Sequence, residues 1–168
     1  MIRYLARSLP VFLRAAATRE RTLVSLLERR VGLGDLDVNV HMNQAVYAQV
    51  MELSRADWAL RSGAWQAWRK ARVWPVVAEQ RIVYRRELKL GQRYTLDTRA
   101  VGFEGRLLSC VTHLLVGDRV HARNDTKFIF SGRRAEGTGV LDAAEVEAAC
   151  RSFLTAPLPV VDWVVTAR

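Results

Sequence analysis

Between Val46 and Leu60 the apolar residues Val46, Val50, Leu53 and Leu60 fall on one helical face, with Tyr47 and Met51 beside it. That spacing predicts a long helix with one side in the core. Asn43 stands where an N-cap belongs, and Gly63 ends or bends the helix. Ala64 to Arg72 reads as a second helix with Trp65 and Trp68 three apart. Beyond Pro75 the pattern changes to alternation. Runs at Gln80 to Leu90, Arg93 to Val101, Arg106 to Val116 and Arg119 to Phe130 are separated by glycine turns, which predicts an antiparallel meander. Upstream, Thr22 to Gly32 permits a first strand, and Gly32 and Gly34 break it. Asp142 and Glu145 have capping-box spacing for a helix through about Phe153, and Val160 to Val165 forms a last apolar stretch. A helix followed by hairpin-linked strands is α+β, not a doubly wound sheet.

Residues 1–21 form a separate basic amphipathic segment ahead of a single domain at 22–168. Ile2, Leu5, Leu9, Phe12 or Leu13, and Ala16 recur at near-helical spacing, with Pro10 expected to kink or divide the helix. Seven arginines against two glutamates in the first thirty residues carry more than half of the net charge of +9. Two readings stay open: a helix packed on its own domain, or a segment lying on an anionic membrane. The uncharged run from Ser8 to Leu13 is too short to span a bilayer, and Arg14 interrupts any signal-peptide core.

At 168 residues, half of them hydrophobic, the chain suffices for one well-packed domain. The basic surface invites anionic partners: nucleic acid, acidic lipid, an acidic carrier protein or the phosphates of coenzyme A. No base-reading element is recognisable, so nucleic acid is not expected as a partner. Cys110 and Cys150 are expected as reduced thiols in the cytoplasm, and Cys110, in an apolar run, reads as a buried small hydrophobe. No spacing of ligands implies a metal, and no glycine fingerprint implies a nucleotide cofactor.

The chemistry concentrates in Asp35-Leu36-Asp37-Val38-Asn39-Val40-His41-Met42-Asn43. Asp37, Asn39 and His41 alternate just ahead of the helix start, so carboxylate, amide and imidazole sit beside N–H groups able to stabilise an oxyanion. Asp35 reads as a turn former.

This stretch resembles the active-site loop of hotdog-fold thioesterases, in which Asp, three residues and His-x-Asn-Asn, then Tyr and Glu-x-x-Arg, open the central helix. The matching positions are Asp37, His41, Asn43, Tyr47, Glu52 and Arg55, with Gln44 in place of the second Asn. The form Asp-Leu-Asp-x-Asn-x-His is similar to the plant acyl-carrier-protein (ACP) thioesterases and to small single-domain members of the superfamily. Tyr84-Arg85-Arg86-Glu87 resembles a strand segment of the plant enzymes whose Glu is a catalytic candidate. The resemblance implies a hotdog fold, an antiparallel sheet wrapped around a long central helix, in a homodimer or higher oligomer. It implies hydrolysis of a fatty acyl-CoA or acyl-ACP thioester without a cofactor. Asp37 is then the base or nucleophile and Asn39 positions water or the carbonyl. His41 either orients the site and moves a proton or ties the loop to the helix. Glu87 either holds the water or is an exposed strand charge paired with Arg85 or Arg86. Asn43, Tyr47, Trp65 and Trp68 are the candidate substrate contacts, the tryptophans being either packing or a wall of the acyl pocket. Glu52 and Arg55 are expected as an ion pair. The alternative is a catalytically weak or inactive hotdog module serving as a lipid-associated scaffold.

Overall fold

A computed structural model describes residues 2–17, 20–134 and 137–159. Helix α1 spans Ile2–Ala17 and β1 Ser25–Arg30; α2 follows at Gln44–Arg61 and α3 at Ala64–Ala71. The strands β2 Val73–Tyr84, β3 Arg93–Glu104, β4 Leu107–Val116, β5 Arg119–Arg134 and β6 Gly137–Val140 precede α4, Ala143–Cys150. The stretch Val160 to Val165 lies outside the described residues.

The caps form where the sequence places them. Asn43 Oδ1 accepts the Ala45 N–H at 2.8 Å, and Asp142 and Glu145 close a reciprocal capping box at 2.9 Å each. Gly63 adopts φ +84° between α2 and α3, a left-handed turn that glycine enters without a Cβ clash.

The sheet order is β1-β3-β4-β5-β2, antiparallel throughout, with β6 on the end of β5. It curls around α2, whose Val46, Val50, Met51 and Leu53 are almost completely buried against Leu27, Leu96 and Leu114. This is the hotdog arrangement. Leu60 is only partly covered, and Trp58, at 2% exposure, takes the core position near the helix end. Several polar groups buried between helix and sheet pair with one another: the Ser54, Thr98 and Thr112 hydroxyls link at 2.7 and 2.9 Å, and Ser25 donates to Asp57 at 2.6 Å.

Three expectations are corrected. The strands after Pro75 are not one meander, because β2 pairs with β5 across the sheet rather than with β3. Strand β2 also begins at Val73, so Pro75 lies inside it. An edge strand tolerates this, since proline lacks only a donor that the outer edge does not use. Finally, α1 runs through Pro10 as one helix; Pro10 faces solvent, where water can satisfy the carbonyl it leaves unbonded. Val11 of α1 is 1% exposed in the core and Arg7 reaches Asp35 at 2.5 Å, so this helix packs on its own domain.

The sheet's other face carries a pH-sensitive group. Thr112 faces α2, so His113 faces away, aligned with Asp97 and Arg123 on the neighbouring strands. Burial pushes its pKa down from 6.5 to about 4; Arg123, at 3.3 Å, and Arg99 add to the fall, while Asp97 and Asp125 oppose it. Folded His113 stays neutral while the unfolded chain takes up a proton near pH 6.5. Stability attributable to this group is therefore complete above pH 6.5 and is lost as pH falls towards about 4. Thermal melts across this window should show Tm falling by on the order of 5 °C, with a shallower slope for His113→Gln.

Candidate active site

Asp35 holds both ends of the loop before α2. Its Oδ2 accepts the Gly32 N–H at 2.9 Å, its carbonyl accepts the Asn43 N–H at 2.8 Å, and its Oδ1 takes Arg7. Between these points the chain folds into a tight hairpin: the Asp37 N–H donates to the His41 carbonyl at 2.9 Å, and the Val40 N–H to the Asp37 carbonyl at 3.1 Å. Asp37 Oδ1 also accepts the Asn39 N–H at 2.8 Å, a local turn that short acidic side chains favour. The hairpin forces Val40 to φ +63°, a strained value for a β-branched residue. Its consequence is to set Asp37 and His41 side by side, Oδ1 to Nδ1 at 3.5 Å.

A second loop completes the cluster. Strand β2 ends at Tyr84, so Glu87 stands on the loop beyond it and not on a strand. The His121 carbonyl accepts the Arg85 and Arg86 N–H groups at 2.8 and 3.1 Å, and His121 Nδ1 lies 3.2 Å from the Glu87 carbonyl. The Leu88 carbonyl takes the Met42 N–H at 2.8 Å, stitching this loop to the first. Glu87 Oε2 thereby comes to 3.5 Å from His41 Nε2, with Lys89 Nζ at 3.1 Å from Oε1. The cation beside Glu87 is Lys89, where the sequence had offered Arg85 or Arg86.

The imidazole thus sits between two carboxylates. Its side chain is 34% exposed, Asp37 26% and Glu87 50%, so water and a substrate can reach all three. Asp37 and Glu87, on either side of His41, border a cavity of about 590 Å³ whose walls include Asn43, Gln44, Tyr47 and Tyr84. The Tyr47 and Tyr84 rings meet edge to face at 5.1 Å. Burial pushes the Tyr47 phenol up to about 12, against a backbone hydrogen bond at Leu88 that lowers it, so it is a neutral donor at ordinary pH.

Not all the expected residues converge. Asn39 lies at the exposed tip of the hairpin, away from the cavity lining. Trp65 and Trp68 border a different space, an apolar groove of about 460 Å³ between the second half of α2, α3 and β2. Within it Trp68 is 3% exposed, stacked among Trp58, Phe130 and Phe153 at 5.1 to 6.3 Å. Conversely, Tyr84, Lys89 and His121 were not read as site residues. Tyr84 stood in the quoted Tyr-Arg-Arg-Glu stretch, but His121 is 34 residues from Glu87 and carries no local signal.

Against known families, residues 31–162 match the model of the thioesterase-like superfamily. The chain belongs to that superfamily. A zebrafish (Danio rerio) relative, protein THEM6, is 34% identical over 104 residues, covering 60% of this chain; the chain spans about half the length of that relative, 52%. Among solved structures, the probable thioesterase YbaW of Escherichia coli superposes with a TM-score of 0.69 at 20% identity, over 78% of this chain and 99% of its own. The protein SAV2348 of Staphylococcus aureus, solved in complex with CoA, superposes with a TM-score of 0.67 at 13% identity, over 90% and 96%. At these identities the two structures bear on fold alone, and both agree with the curled sheet and central helix seen here.

Proposed function

We propose that this thioesterase-superfamily protein hydrolyses a fatty acyl thioester, with Asp37, His41 and Glu87 as its working group. The observation that carries this reading is the His41 ring held between two carboxylates at 3.5 Å each, both of which line a cavity beside the start of α2. Water attacks the thioester carbonyl, a carboxylate takes its proton, and the departing thiolate recovers one as the C–S bond breaks. Asp37 is the base or nucleophile, His41 orients it and relays protons, and Glu87 holds the water. Asn39 steadies the Asp37 turn through its backbone N–H. Asn43 spends its oxygen on the Ala45 N–H, which leaves the Gln44 N–H at the cavity wall as a donor for the oxyanion. Tyr47 adds a neutral hydroxyl near the same space.

The carrier is coenzyme A in preference to ACP. Arg85 and Arg86 line the cavity and suit phosphate, and the similar SAV2348 structure was solved with CoA. The acyl chain lies in the cavity beside Tyr47 and Tyr84; Trp65 and Trp68 border the separate groove and stand outside this reading. Turnover of matched acyl-CoA and acyl-ACP series tests this reading. Loss of all hydrolysis on both carriers would overturn it.

The reading includes a homodimer. Strand β2 is an edge of the sheet, and Trp74, Val76, Val77 and Tyr84 along it are each about 40 to 46% exposed. An unpaired edge with apolar side chains is a surface that a second copy can cover. Light scattering at micromolar concentration is expected to give twice the 19.0 kDa chain mass, and Val76→Lys with Val77→Lys should shift it towards the monomer.

A further inference from the structure

Helix α2 packs on β1, β3 and β4, and leaves an open seam on its β2 side. The groove there is walled by Trp58, Trp65, Pro75, Val77 and Phe128, with Phe12 of α1 at one rim. Its about 460 Å³ is in the range of small-molecule sites. Arg55 is the one cation lining it among the described residues. Arg55 is only 7% exposed; its guanidinium lies over the Phe128 ring at 6.0 Å and has at Nη1 a buried donor with no hydrogen-bond partner. Glu52, one turn earlier at the exposed rim, acts on it through space, and burial lowers its pKa. The expected ion pair does not supply that donor with an acceptor.

A buried cation lacking an acceptor is costly, and the cost is relieved by an anion that brings its own oxygens. Everything around Arg55 in the groove is otherwise largely hydrocarbon. A plain alkyl chain would fill the space but leave Nη1 bare, and a polyphosphate would bring more charge than one guanidinium answers. A carboxylate on an apolar chain meets both requirements, because its two oxygens match the guanidinium fork. We propose that this groove binds a free fatty acid, its carboxylate paired with Arg55 and its chain against Trp58, Trp65 and Val77. The site is distinct from the Asp37 cluster: twelve residues of helix separate Asn43 from Arg55, about 18 Å along the axis. It does not rest on turnover, and an inactive protein would bind equally.

Binding of dodecanoate and of 1-dodecanol to the full chain, followed by tryptophan fluorescence and calorimetry at pH 8, tests the proposal. Dodecanoate should bind at least tenfold more tightly than the alcohol. Arg55→Met should bring the acid down to the affinity of the alcohol, and Arg55→Lys should keep part of the preference. Ala56→Phe, which fills the groove, should weaken both ligands. Equal affinity for acid and alcohol in the native protein overturns the proposal, as does a preference that survives Arg55→Met or binding indifferent to Ala56→Phe. If Arg55→Met fails to fold, the native preference and the Ala56→Phe result still decide. Asp37→Asn should bind dodecanoate unchanged, so failure of the hydrolytic reading and failure of this one are separately visible.

Discussion

Asp37→Asn is expected to lower kcat by roughly a hundredfold or more while the fold survives. The amide keeps the shape of the carboxylate and still offers an oxygen to the Asn39 N–H, which Asp37 Oδ1 accepts at 2.8 Å. The hairpin is also held by the backbone bonds between Asp37, Val40 and His41, which the substitution leaves in place. What disappears is the negative charge beside His41 and the site for a proton. Asn39→Ala should reduce kcat less, because the backbone N–H that Asp37 accepts is kept and the lost amide stands outside the cavity lining. His41→Ala separates two roles: a folded protein with low turnover marks a positioning or proton-transfer residue, and a fall in Tm marks a structural one. Near-native hydrolysis by a folded Asp37→Asn protein would remove Asp37 from the mechanism and make Glu87→Gln the next variant to assay.

The second large effect is on stability. Trp68→Ala should destabilise the domain by about 3 to 5 kcal/mol, the usual cost of emptying a buried aromatic site. In a domain of this size that lowers Tm by on the order of 10 °C. Trp68 is 3% exposed, packs against Trp58, Phe130 and Phe153, and donates its ring N–H to the Ala149 carbonyl at 3.3 Å. It therefore ties α3 to the sheet and to the end of α4. Trp65 is 40% exposed, and Trp65→Ala should cost little stability. Thermal melts of the two variants side by side check the contrast; similar losses would mean that Trp65 is as much a core residue as Trp68.

The two tryptophans look alike in the sequence, three positions apart on one helix. Only one can point at the sheet when the helix is docked, and the docking angle is set by contacts with Phe130 and Phe153, more than sixty residues away. Glu87 shows the same limit. Alternation extended the strand through it, yet His121 captures the backbone after Tyr84 and turns the chain so that Glu87 meets His41. Pro75 marks a boundary in the sequence pattern yet lies inside β2, because its tolerance there depends on which strand becomes the edge.

What the sequence by itself determined is local: the Asn43 cap and the long helix behind it, the Gly63 break, the Asp142 to Glu145 box, and the turn chemistry of Asp35. These depend on backbone groups within a few residues, so short patterns suffice to specify them. The tertiary structure alone decided that β2 lies beside β5, that Glu87 and Lys89 join His41, and that Arg55 lies buried with an unanswered donor. Those outcomes depend on which distant segments share a sheet and which face of α2 the sheet covers, and burial of the whole apolar surface selects them together.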